Sequence, residues 1–135
     1  MNINFRNIVG FEIIAPDVIG AETSEDIIIT DNAINIFIKI LNNYIDDSSQ
    51  ENYNCFIRLS MNSKKDSAKR YNISLDNVIT DQDKVFELRK INIVIDRKSL
   101  FYYMGIIIDY ISNDAEEGFV FLDISDIKVI DYYSK

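Results

Sequence analysis

The stretch Ile91–Leu122, INIVIDRKSLFYYMGIIIDYISNDAEEGFVFL, decides how this chain is read. Ile91–Asp96 is β-branched and apolar, a strand. The segment RKSLFYYMG, Arg97 to Gly105, is too short for a full helix but suits one or two turns ending at Gly105 as the C-cap. Ile106–Ile111 and Gly118–Leu122 are again strands, separated by the acidic turn Asn113-Asp114-Ala115-Glu116-Glu117. A strand, a helical turn and two further strands are thus packed into one continuous unit.

Toward the N-terminus the same period of two continues. Val85–Arg89 forms a strand close before Ile91, and Asn77–Lys84 reads as a turn region. Tyr71, Ile73 and Leu75 alternate with Arg70, Asn72 and Ser74. Earlier, Tyr53, Cys55, Ile57, Leu59 and Met61 share one strand face, with Phe56, Arg58 and Ser60 on the other; the polar segment NSKKDSAK joins the two strands. The period then changes. Ile34, Phe37, Ile38, Leu41 and Ile45 mark an amphipathic helix, and Ile36, Ile40 and Tyr44 widen its apolar side. Thr30 stands where its N-cap belongs, with Asp31 in the first turn, favoured by the helix dipole. Asp26–Thr30 is a short strand, and the polar run Asp46 to Asn52 ends the helix. Residues 1–25 carry Pro16 and Gly20 as breakers and are set apart as an N-terminal extension; Phe5, Ile8, Phe11 and Ile13 could add a strand or clasp, and a partly ordered extension is the other reading. Residues 26–135 form one α+β domain with a single principal helix.

Composition bounds the function. A chain of 135 residues, 47% hydrophobic and 27% charged, can bury a core without disulfides. Its net charge of −8 opposes a phosphate backbone, so no nucleic acid is expected as partner. No apolar run spans a bilayer and no secretory pattern opens the sequence, so no membrane association and a cytoplasmic location are expected. Histidine, the commonest general base, is absent. Without a nucleophile–base pair, a Gly-rich phosphate loop or a carboxylate pair at diagnostic spacing, no enzyme is expected and no catalytic, cofactor-binding or metal residue is assigned.

Some residues are weighed individually. Cys55, the one thiol, is either a ligand bridging two chains or a small apolar residue beside Ile57 and Leu59; the second reading is the commoner fate of a free cysteine. Asp81 and Asp83 open like a calcium loop but lack its Gly and terminal Glu, so that site is rejected. Asp114, Glu116 and Glu117 read as a solvated turn. Tyr102, Tyr103, Tyr132 and Tyr133 form aromatic pairs that suit a core or an oligomer interface. Lys64, Lys65, Lys69 and Arg70 are a local basic patch able to meet an acidic partner.

Together the segments from about Asp26 to Leu122 resemble the HesB-like A-type carriers of iron–sulfur cluster assembly, the IscA and SufA family. IIITDNAINIFIKIL is similar to that family's helix entry, and the strand ending in VIDRKSLFYYMG to its V-D-x-K-S-L-x-x-L-x-G. IIIDYI resembles its L-D-Y-V strand, and EGFVF its G-F-x-F. The resemblance implies a HesB-like mixed β-sheet, a barrel-like sandwich, and a link to iron–sulfur cluster biogenesis. The family holds its cluster through three cysteines, soft thiolates suited to iron and sulfide. Aligned on that pattern, the first cysteine's Gly-rich loop is Lys65-Asp66-Ser67-Ala68, with Asp66 at the thiol position. The closing C-G-C falls on Ile130, Asp131 and Tyr132, and the family's Asn-Pro-Asn on Asp123, Ile124 and Ser125. The resemblance therefore implies a degenerate ligand site with no cofactor, and a protein that works through contacts. Its expected partners are copies of itself or a cysteine-bearing A-type carrier. The alternatives are a standalone structural or binding module outside the pathway, and mononuclear metal binding through Asp66 and tail carboxylates.

Overall fold

The computed structural model describes residues 10–16, 26–47, 55–63 and 69–123. Along them run β1 (Phe11–Ile14), β2 (Ile27–Thr30), α1 (Asp31–Asp47), β3 (Phe56–Ser63), β4 (Lys69–Asp76), β5 (Asp83–Leu88), β6 (Ile91–Asp96), α2 (Arg97–Tyr103), β7 (Ile106–Ser112) and β8 (Glu117–Asp123). Two four-stranded sheets result, ordered β1-β2-β7-β8 and β4-β3-β6-β5. Each contains one parallel pair among antiparallel ones, the mixed α+β class expected. A second, seven-residue helix joins the principal one. The chain forms two compact units: one takes the described residues up to Asn35 and from Tyr103 onward, the other Ile36–Tyr102.

In the first unit β2 lies between β1 and β7 in the sheet, and it is buried at all its positions. Such a strand has no solvent face and so reads as a continuous apolar run. β1 pairs with it antiparallel, from Phe11 opposite Thr30 to Ile14 opposite Ile27. The strand alternation aims Ile14 inward at 2% exposure and leaves Ile13 49% exposed, so Ile14 packs where Ile13 was expected to. β2 runs parallel to β7, and β7 antiparallel to β8, down to Ser112 opposite Glu117. The turn between β7 and β8 is built on Asn113, whose side-chain oxygen accepts from Ala115 N–H at 2.8 Å and Glu116 N–H at 2.9 Å.

Where β2 becomes α1, Thr30 works in two directions. Its hydroxyl accepts from Ala33 N–H at 3.3 Å, satisfying an otherwise orphan helix donor. It also donates to buried Asp109 on β7 at 2.5 Å. Gly10 hands its carbonyl to Asp31 N–H at 3.0 Å. A β-carbon at Gly10 would meet the Asp31 carboxylate, which would have to swing aside to admit it. Along α1, Ala33, Ile34, Phe37 and Leu41 are buried, whereas Ile36, Ile38, Ile40 and Tyr44 are half-buried. The apolar side is wide, and its centre is narrow.

In the second unit β3 and β4 form a hairpin from Phe56 opposite Asp76 to Ser63 opposite Lys69. β3 also runs parallel to β6, with Ile57 beside Ile93 and Leu59 beside Ile95, all at or below 1% exposure. Each such side chain, fully removed from water, contributes roughly 2 kcal/mol. β5 and β6 close through Arg89 and Lys90, both left-handed with φ 50° and 71°. Paired positive φ values are the mark of a primed two-residue hairpin turn, here made without Asn or Gly.

Candidate functional site

Of the positions that the family resemblance marks as ligand sites, Asp66 and the segment Ile130-Asp131-Tyr132 lie outside the described residues, as do the neighbouring Lys65, Ser67 and Ala68, and Ile124, Ser125 and Tyr133. Lys64 and Lys65 of the basic patch lie outside them too. Lys69 and Arg70 are backbone positions on β4, and Asp123 is the exposed end of β8. Cys55 sits half-buried just before β3, beside the end of the strand that buries Ile57 and Leu59. Burial pushes its thiol above the ordinary value, with Asp76 adding to the rise against the opposing Phe56 amide. Among the described residues no group of three or more Cys, Asp or Glu side chains is placed to hold a metal ion. With one cysteine in 135 residues, the donor set does not fit a cluster held by three thiolates from one chain.

The acidic candidates separate. Asp114, Glu116 and Glu117 are exposed around the Asn113 turn. Asp81 is exposed in its loop, while the Asp83 side chain is only 2% exposed and is taken by an arginine. Tyr102 and Tyr103 part company: Tyr102 is 43% exposed, whereas Tyr103 is fully buried and meets Phe121 edge-on at 6.3 Å.

That arginine, Arg58, organises the principal polar constellation among the described residues. Its Nη1 and Nη2 grip the Asp83 carboxylate at 2.8 and 2.9 Å, Nε reaches Asp76 at 2.7 Å, and Nη2 also donates to the Val78 carbonyl at 3.0 Å. The Phe56 ring lies 5.6 Å beneath the guanidinium. Asp76 in turn accepts from Asn77 N–H at 2.7 Å and Asp83 from Thr80 N–H at 2.9 Å. β3, the loop after β4 and the start of β5 are thereby tied at one point. Arg58 holds Asp83 down to about 2 and Asp76 below the usual carboxylate range, while Asp83 raises the arginine further. Fully paired with each other, these groups form a structural lock, with no general acid or base among them.

The family-like motif residues prove to be architecture. In VIDRKSL, Asp96 caps α2: it accepts from Ser99 N–H at 2.6 Å and from the Ser99 hydroxyl at 3.1 Å. The same hydroxyl accepts from Met61 N–H at 3.2 Å, pinning α2 to β3. Gly105, at φ 81°, ends the helix and donates its N–H to Asp26 carbonyl at 3.0 Å. In IIIDYI, Asp109 anchors Thr30, and Tyr110 donates to Glu117 at 2.6 Å while meeting Phe119 edge-on at 5.0 Å. That bond raises the Tyr110 phenol above its ordinary value.

No family model matches the chain. Among curated proteins, the iron-binding protein IscA of Proteus mirabilis is 34% identical over 65 residues, 48% of this chain and 61% of that protein. IscA of Xenorhabdus nematophila is 29% identical over 65 residues. The match thus spans less than two thirds of these relatives. Among solved structures, the crystal structure of Escherichia coli SufA, involved in biosynthesis of iron–sulfur clusters, superposes with a TM-score of 0.56 at 14% identity, over 70% of this chain and 77% of SufA. The solution structure of a protein from Aquifex aeolicus gives a TM-score of 0.51 at 26% identity, over 70% of this chain and 87% of that one. In local sequence this chain is similar to the iron-binding protein IscA, and in fold it is similar to SufA.

Proposed function

We propose that this chain serves iron–sulfur cluster biogenesis as a divergent, non-enzymatic A-type carrier-like protein acting through protein–protein contacts, not by holding a cluster on the family's thiolates. One observation carries the proposal: the fold-bearing motifs are kept while the sequence contains one cysteine, half-buried with a raised thiol. Cluster ligation needs several soft thiolate donors, and a single thiol cannot replace three. Motifs that serve as caps and turns hold the scaffold whether or not a cluster is carried, so they can persist when ligands change. In this reading the protein joins copies of itself or a cysteine-bearing carrier, which would supply the thiolates. The proposed setting is the cytoplasm; no helix among the described residues is long and apolar enough to cross a membrane.

Affinity purification of the intact chain from its own cells tests the pathway assignment. Recovery of cluster-scaffold or carrier proteins is expected. Their absence, with an unrelated partner retained, would instead make this a standalone binding module.

A further inference from the structure

We propose that the outer face of α2 is a docking surface for an acidic, apolar-bearing segment of a partner protein. α2 divides sharply by face. Ser99, Leu100 and Tyr103 are buried at 5%, 1% and 0% exposure, whereas Arg97 and Lys98 are exposed and Phe101 and Tyr102 stand 53% and 43% exposed. Helical spacing sets Arg97 in line with Phe101 and Lys98 in line with Tyr102, two parallel columns of cation and aromatic ring.

The face is held in place before any partner arrives. Asp96 caps the helix, Ser99 receives Met61 N–H, Arg97 N–H donates to Gln82 carbonyl at 2.8 Å, and the Tyr71 hydroxyl donates to Tyr102 carbonyl at 3.3 Å. These bonds fix the helix backbone, so the face needs no backbone ordering on binding. The cations also sit at the wrong end of the helix for stability. α2 has no acidic residue in its first turn, and positive side chains there oppose the helix dipole. Neither Arg97 nor Lys98 forms an ion pair with a described residue.

Charge selects the occupant. In a chain of net charge −8, an exposed face of two cations and two aromatic rings is a local exception. Its complement supplies carboxylates to the cations and apolar side chains to the rings, which a Glu- or Asp-rich peptide segment with leucines does. Nucleic acid is the competing occupant, because aromatic rings stack bases. A short peptide can set a few carboxylates on the two cations alone, whereas a nucleic acid lays an unbroken run of phosphates along the negative surface beyond them, and that disfavours it. The inference rests on the protein-contact reading above, but it concerns the surface alone.

The experiment is an amide NMR titration of the full chain with three probes: a Glu-rich peptide carrying leucines, the same peptide with Lys for Glu, and a single-stranded oligonucleotide. The expected result is a set of shifts centred on Arg97–Tyr103 and Tyr71 with the acidic peptide only, weakening roughly tenfold at high salt. In Arg97→Glu/Lys98→Glu and in Phe101→Ser/Tyr102→Ser, affinity for that peptide should fall roughly tenfold or more. Shifts that are absent, scattered or equal for the lysine peptide would overturn the proposal. So would preference for the oligonucleotide, or concentration-dependent self-association through this face. The comparison of probes on the unaltered chain decides the matter even if a variant fails to fold. A negative result would remove this surface and leave the pathway assignment to co-purification.

Discussion

At the scale of single residues, Arg58 has the largest structural role. A guanidinium in a sheet strand is tolerated because its donors meet two carboxylates and a carbonyl, and its Asp83 partner is 2% exposed. Removing one partner of such a pair leaves the other buried and uncompensated. Arg58→Ala is expected to lower unfolding free energy by roughly 3 kcal/mol at neutral pH, read by chemical denaturation. The pH dependence comes from the same geometry. Asp83 titrates at about 2 in the folded chain against an ordinary 3.8, so its contribution is present in full above about pH 4 and is lost as pH falls through about 2. That contribution is about 2 kcal/mol, and in Arg58→Ala the Asp83-linked part of the acid slope should vanish. An Arg58→Ala variant with unchanged neutral stability and unchanged acid slope would contradict the lock. The sequence alone does not disclose this lock. There Arg58 is one polar residue on a strand face, since its carboxylate partners lie 18 and 25 residues away along the chain. An arginine between buried Ile57 and Leu59 is the available signal, because a charge there needs partners.

At the scale of elements, caps and periods are the most legible features. Thr30 caps α1 as expected because an N-cap is a local bond, and Ile91–Asp96 is β6 to the residue because its β-branched run ends at a helix-capping Asp96. The chain reversal at Arg89 and Lys90 is less visible. Primed turns are recognised by Asn and Gly, and here longer side chains accept φ 50° and 71°. Such residues in the left-handed region carry strain of about 1 kcal/mol each. Arg89→Asn with Lys90→Gly should therefore raise the midpoint of thermal unfolding, with a gain of roughly 1 kcal/mol. An unchanged or lowered midpoint would mean that the Arg89 and Lys90 side chains stabilise the turn in other ways. The inward residue of β1 is not legible either, Ile14 packing in place of Ile13, because a four-residue strand offers too few alternations to fix its phase.

At the scale of the whole molecule, scaffold and chemistry separate. Asp96, Ser99, Gly105, Asp109 and Tyr110 are the residues that carry the resemblance to the A-type carriers, and each is occupied in capping, turning or pairing strands. They secure a fold of two mixed sheets shared with SufA. The residues at the family's ligand positions lie outside the described part, and the one cysteine is half-buried at the start of β3. The chain's own thiol supply is therefore what decides between a cluster holder and a contact protein. Anaerobic reconstitution of the purified chain with iron and sulfide, followed by visible absorption and iron and sulfide analysis, measures that directly. The expected result is no stoichiometric cluster by either readout; a visible-absorbing species with stoichiometric iron and sulfide on the protein would contradict the claim that cluster binding has been lost.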